Sequence, residues 1–156
     1  MSQLQVGQTA PDFTLYNQNK EEVKLSDLRG QTVVLLFFPL AFTSTCTAEL
    51  CSMRDDLHYY TDVNAKVLGI SVDTVFSLAK FKEEQNFNFD LLSDFNKAVS
   101  KSYGTLYETF VLGMQGVSKR SAFVVDKEGV LQYVEVLEKA SDIPNLQAIQ
   151  SLVKTL

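Results

Sequence analysis

Three stretches of the chain are apolar almost without interruption: residues 32–38 (TVVLLFF), 66–72 (KVLGISV) and 120–125 (RSAFVV). Runs that do not alternate with polar residues suit strands covered on both faces, so these three are expected at the centre of a sheet. Between them the apolar positions recur at three- and four-residue steps, which predicts helices over residues 47–62, 74–84 and 97–103. Ahead of the first run lie two short strand patterns, residues 12–15 and 22–25, with a turn at residues 27–30. After the third, DKEG (126–129) is a hairpin turn into a strand at residues 130–137, and a last helix is expected over about residues 145–153. Strands alternating with helices, then a hairpin and a helix, describe an α/β fold with a mixed central sheet flanked by helices. A thioredoxin-like arrangement is compatible with that order, although periodicity alone does not select it.

With 156 residues, 46% of them hydrophobic and 11% aromatic, the chain can bury one sizeable core, so a single domain over residues 1–156 is expected. The formal charge of -5 argues against nucleic acid or an anionic membrane as partner, since either would repel such a surface. Residues 1–12 lack the basic start and apolar stretch of a secretory signal, and a cytoplasmic location is the expectation. Two cysteines are too few for a disulfide scaffold, so their role depends on where they sit.

Both lie in PLAFTSTCTAELC (39–51), where the first buried strand ends and a helix begins. Pro39 ends strand pairing because it has no N–H. Thr43, Ser44 and Thr45 are N-cap candidates, which places Cys46 in the first helical turn. There the free backbone N–H groups and the positive end of the helix dipole stabilise a thiolate. Taken without its neighbours, Cys46 reads first as a small buried hydrophobe, the commoner fate of an intracellular cysteine. Cys46, Leu50, Met53, Leu57 and Tyr60 form one apolar stripe, so the cysteine is expected at the edge of a hydrophobic floor. His58 is three turns further along the axis, too distant to act as a base for Cys46, and reads as a solvated residue. A metal site from Cys46, Cys51 and His58 would lack a fourth ligand. Phe76, Phe81, Phe87, Phe89, Phe95 and Tyr103 read as core or subunit contacts. Phe42, inside this loop, is the aromatic placed to cover the thiolate.

PLAFTSTC resembles the peroxiredoxin motif Pro-x-x-x-Thr-x-x-Cys, and VGQTAPDFTL, SVDTVFSLAKF, FDLLSDFNKAVSKSYG and KRSAFVVDKEG look like peroxiredoxin segments in the same order. The resemblance covers residues 6 to at least 129. It implies a thioredoxin-like fold in its peroxiredoxin variant with an N-terminal extension. It also implies reduction of a hydroperoxide without metal, haem or flavin, and a thioredoxin or similar dithiol as reductant. By position it makes Cys46 the peroxidatic cysteine, with Thr43 and Pro39 shaping its pocket, Arg120 reaching the site from the C-terminal half, and Glu49 orienting Arg120. Read alone, Arg120 and Glu49 are ordinary surface charges. In this reading Arg120, the Thr43 hydroxyl and the Cys46 N–H are the donors for developing charge on oxygen.

Cys51 follows Cys46 by five positions, as in the Q-type peroxiredoxins (bacterioferritin comigratory proteins), which implies a resolving cysteine. In an intact helix the two Cα atoms lie roughly 8 to 9 Å apart. That exceeds the about 7 Å span of a disulfide, so the first turns must unwind. The alternative is a one-cysteine enzyme of the AhpE type, which shares the PLAFT loop. A thioredoxin-type oxidoreductase would be expected to show Cys-x-x-Cys, and a non-catalytic scaffold would leave Cys46 unreactive toward peroxide. Monomer and homodimer both occur among related proteins.

Overall fold

The computed structural model describes residues 3–156. The strands are β1 (Thr14–Asn17), β2 (Glu22–Lys24), β3 (Thr32–Phe37), β4 (Ala65–Ser71), β5 (Asp90–Ser93), β6 (Ser121–Val125) and β7 (Leu131–Val136). They form one sheet in the order β2-β1-β5-β4-β3-β6-β7. β3, β4 and β5 run parallel to one another, while the remaining pairings are antiparallel. The helices are α1 (Ser44–Asp55), α2 (Leu57–Thr61), α3 (Val75–Gln85), α4 (Ala98–Ser102) and α5 (Leu146–Val153).

β3 shows why its sequence is apolar throughout. Successive side chains point to opposite faces, and both faces are covered. Val34 and Leu36 join a core with Cys46, Leu50, Met53, Leu78, Phe81 and Ile149. Val33, Leu35 and Phe37 join a second core with Leu68, Ile70, Tyr103, Phe123 and Val125. The α1 stripe lies in the first core, with Leu57 only partly buried against it. The N-terminal extension folds as the β1–β2 hairpin, which adds to the edge of β5.

Three expectations change. The helix expected over residues 47–62 is two helices, because Asp56 leaves helical geometry at φ -102° and ψ 6° between α1 and α2. β5 has no counterpart among the expected strands. It is four residues long and opens on Asp90, a residue type depleted in strands. Here that carboxylate accepts from the Asn17 and Gln18 side chains and pairs with Lys82. Asp12, expected in the first strand, instead accepts from Phe13 N and Ser26 N, and pairing starts at Thr14.

Candidate active site

β3 delivers the chain to the site. Phe38 N still donates to Ile70 O of β4 at 2.9 Å, and Pro39 then ends the ladder. In the loop that follows, Ala41 N donates to Asp73 Oδ2 at 2.8 Å. Phe42 takes a left-handed φ of 67°. Thr43 is the N-cap of α1, and Cys46 is the third residue of that helix. At this position the backbone N–H groups of the first turn have no intrahelical acceptor, and their dipoles favour an anion.

Arg120 comes to Cys46 through strand pairing. β6 is antiparallel to β3 with Ser121 opposite Phe37. Arg120, one residue earlier, therefore emerges beside the loop that leaves β3. Its guanidinium is 1% exposed. Nη2 donates to Cys46 Sγ at 3.1 Å, and Nη1 donates to Glu49 Oε1 at 2.8 Å. Nε and Nη2 also donate to the Ala140 carbonyl at 3.2 and 2.9 Å. Glu49 sits three residues after Cys46, on the same helix face.

Cys46 and Glu49 are both fully buried. Glu49 Oε2 has no hydrogen-bond partner among the described residues. Burial, helped by the Glu135 charge and opposed by Arg120, pushes the Glu49 pKa from 4.5 up to about 7. For Arg120 burial alone would act downward, but the charges of Cys46 and Glu49 outweigh it and hold the pKa above its ordinary value. A permanent cation is thus held between a sulfur and a carboxyl group in a low-dielectric site.

A cavity of about 380 Å³ opens beside this cluster, lined by Pro39, Thr43 and Arg120 together with Phe110, Leu112 and Met114. A larger cavity of about 570 Å³, lined by Tyr16, Asp94 and Phe95, shares no residue with it. The Asp94 carboxylate there already accepts from Val99 N and Ser100 N. A thiol next to a fixed cation, which itself lines a largely apolar cleft, is equipped to attack a polarisable electrophile such as an O–O bond.

The model of the AhpC/TSA family matches residues 6–134. The chain belongs to that family. Alkyl hydroperoxide reductase E of Mycobacterium tuberculosis is 41% identical over 136 residues, covering 85% of this chain and 86% of that protein. The chloroplastic 2-Cys peroxiredoxin BAS1 of Spinacia oleracea is 38% identical over 162 residues, which is 97% of this chain and 57% of BAS1. Among solved structures, peroxidoxin BcpB of Mycobacterium tuberculosis superposes with a TM-score of 0.86 at 33% identity, covering 97% of each chain. Peroxiredoxin Q of Xanthomonas campestris gives 0.81 at 26% identity, over 92% of this chain and 90% of the other. The sheet is therefore the thioredoxin-like one of the peroxiredoxins.

Within this peroxiredoxin, Cys46, Glu49 and Arg120 come together, and Pro39 and Thr43 border the same cleft. Thr43 differs from its expected role as a donor. Its hydroxyl is exposed and donates to Leu40 O at 2.8 Å, and it makes no cap bond. A proton already given to a carbonyl is not aimed at the sulfur. Phe42 also differs: it is absent from the cleft wall, and its ring rests on Phe81 with centroids 5.0 Å apart. Cys46 lies deeper than the edge of a floor, fully buried within the first core. His58 is exposed and stacks on Tyr59. Phe81, Phe87, Phe89 and Tyr103 are buried, whereas Phe76 and Phe95 are exposed.

Cys51 points elsewhere. Its Sγ is 3.6 Å from Gln85 Oε1 on α3, and both cysteines are free thiols on one continuous helix. The Ala140 carbonyl and Asp73 went unrecognised in the sequence. A backbone carbonyl carries no side-chain signature, and the only cue to Asp73 is its place just past the end of β4.

Proposed function

We propose that Cys46 is the nucleophile of a thiol-dependent peroxidase acting on hydrogen peroxide and organic hydroperoxides. The thiolate attacks one peroxide oxygen and the O–O bond breaks. The sulfur becomes a sulfenic acid, and the departing alkoxide or hydroxide takes a proton to leave as alcohol or water. Arg120 Nη2 and the first-turn N–H groups of α1 donate to the charge that develops on oxygen. Glu49 and the Ala140 carbonyl fix the guanidinium, while Pro39 and Thr43 border the approach. The contact between Arg120 Nη2 and Cys46 Sγ, 3.1 Å long and shut away from water, carries this reading. Leu112, 96% exposed at the cleft, offers apolar surface to an alkyl group and favours organic hydroperoxides beside hydrogen peroxide.

In the second half of the cycle Cys51 attacks the sulfenic sulfur, releasing water and forming a Cys46–Cys51 disulfide that thioredoxin or a similar dithiol reduces. Supporting this, Cys51 is the only other thiol of the chain. Opposing it, the intact helix holds the pair too far apart, so α1 must open first. A reducing cytoplasm would supply the dithiol. The exposed Phe76 and Phe95 favour a homodimer over a monomer.

The test is one equivalent of peroxide followed by intact mass and peptide mapping. Wild type should lose two hydrogens and show a linked peptide; Cys51→Ser should halt at sulfenic acid and overoxidise. Cys46→Ser should fold and be inert. Peroxide turnover by Cys46→Ser overturns the nucleophile, and a freely alkylatable Cys51 in oxidised wild type overturns the disulfide.

A further inference from the structure

The loop between β3 and α1 must hold one unfavourable conformation to set the first turn of the helix. Phe42 sits at φ 67°, the left-handed region that a residue with a Cβ adopts only at a cost. It persists only where neighbours over-determine it. One neighbour is apolar, the Phe81 ring. The other is polar and comes from the end of β4.

Asp73 Oδ2 accepts from Ala41 N, the amide just before Phe42, at 2.8 Å. The same oxygen accepts from the Ser71 hydroxyl at 2.6 Å. The Asp73 backbone is pinned in turn, since the Ser93 hydroxyl of β5 donates to Asp73 O at 2.6 Å and Asp73 N donates to Ser71 Oγ at 3.2 Å. Ser71 is fully buried, and its own carbonyl accepts from Asp94 N at 2.7 Å. The ends of the three parallel strands are thereby tied through one carboxylate to the loop that carries Pro39 and Thr43. A carboxylate accepting from a backbone N–H is a strong, directional anchor.

We infer that Asp73 is a positioning residue for peroxide attack. It acts through Ala41 by fixing the loop, and so the cleft wall and the turn that presents Cys46 to the oxygens. The inference rests on Cys46 being the nucleophile. Its consequence is selective. Attack on an O–O bond needs the peroxide seated between the loop and Arg120, whereas alkylation by iodoacetamide needs the thiolate and access to it, but not that seat. Displacing a reacting group by about 1 Å costs on the order of a hundredfold in rate.

Asp73→Ala should slow oxidation of Cys46 by peroxide by roughly ten- to a hundredfold, and change iodoacetamide alkylation of Cys46 by less than about threefold. Asp73→Asn keeps an oxygen that can accept from Ala41 N, and should recover most of the peroxide rate. Should Asp73→Ala not fold, Ser71→Ala decides. It frees the carboxylate to swing, and should slow peroxide oxidation a few-fold with alkylation unchanged. Equal slowing of both reactions, or none, overturns the role. Cys46→Ser run alongside separates the two readings: if it turns over peroxide, the nucleophile is wrong. If it is inert while the Asp73 and Ser71 variants behave as wild type, only the positioning role fails.

Discussion

Replacing Arg120 by alanine removes the donor 3.1 Å from Cys46 Sγ and the partner of Glu49 at once. At 3.1 Å and an effective dielectric of about 20, two unit charges attract by about 5 kcal/mol, which is a ceiling because both ions are desolvated. A charge-assisted hydrogen bond contributes about 1.5 to 3 kcal/mol net. Loss of one donor aimed at developing oxyanion charge costs about a hundred- to a thousandfold in rate. The second-order rate constant for peroxide should therefore fall by about two orders of magnitude. Competition kinetics with a second peroxidase, near pH 7 and again near pH 10, divides the loss. Around pH 10 an ordinary thiol is already ionised, so whatever loss persists there belongs to the transition state. Arg120→Lys should be intermediate. One ammonium keeps the charge but lacks the planar fork that reaches sulfur, carboxylate and the Ala140 carbonyl together. Wild-type rates at both pH values would refute the donor role and leave Arg120 as a structural ion.

Two further outcomes follow from burial. Glu49 binds its proton more tightly folded, at about 7, than unfolded, at 4.5. Its contribution is therefore fully present below about pH 4.5 and is lost as pH rises through about 7, a fall of about 3 kcal/mol at most. Urea denaturation of wild type between pH 5 and 8 should show that decline, and Glu49→Gln should be flat across the window. Asp12, Asp90 and Asp126, whose pKa values are lowered, act in the opposite sense only near and below pH 4. If Glu49→Gln keeps the wild-type slope, the carboxyl is not the titrating group. Gly69→Ala would place a Cβ 2.8 Å from Leu91 Cδ2 and 3.4 Å from Phe38 Cε1. Overpacking there should cost about 1 to 3 kcal/mol by the same denaturation assay, and an unchanged midpoint would show that Leu91 moves aside freely.

The central strands were legible because burial on both faces leaves one mark, an unbroken apolar run, and β3, β4 and β6 carry it. β5 escaped notice because the partners that satisfy Asp90 lie outside the strand, Asn17 and Gln18 far off in sequence and Lys82 on α3. The break at Asp56 escaped because the apolar stripe runs on through it to Tyr60. At the site, Cys46 could be placed from the Pro39 and N-cap signals alone. Arg120 could not, since in isolation it reads as a surface charge, and only the register of β6 against β3 brings it to the sulfur. The resemblance supplied what local pattern lacked. It also supplied a Thr43 donor that this loop turns toward Leu40 instead.

Helix α1 has to satisfy two opposed demands, and its contacts divide them between its halves. The second half is fastened to α3 and the segment just after it: Cys51 Sγ meets Gln85 Oε1, Arg54 Nη1 donates to Gln85 O at 2.5 Å, and Asn88 Nδ2 donates to Arg54 O at 3.2 Å. The first turn has no side-chain cap, and opening one terminal turn costs little. Any unwinding that brings the two cysteines together therefore starts at Ser44 and carries Cys46 toward a stationary Cys51. Beside the burial of Cys46, one contact across the helix end holds the first turn: Arg120 Nη2 on Cys46 Sγ. Oxidation converts the anionic sulfur to a neutral sulfenic acid, and the Coulomb part of that pair lapses while Glu49 keeps the guanidinium in place. In the proposed cycle Arg120 would thus secure the turn while the sulfur is an anion and release it once the sulfur carries oxygen.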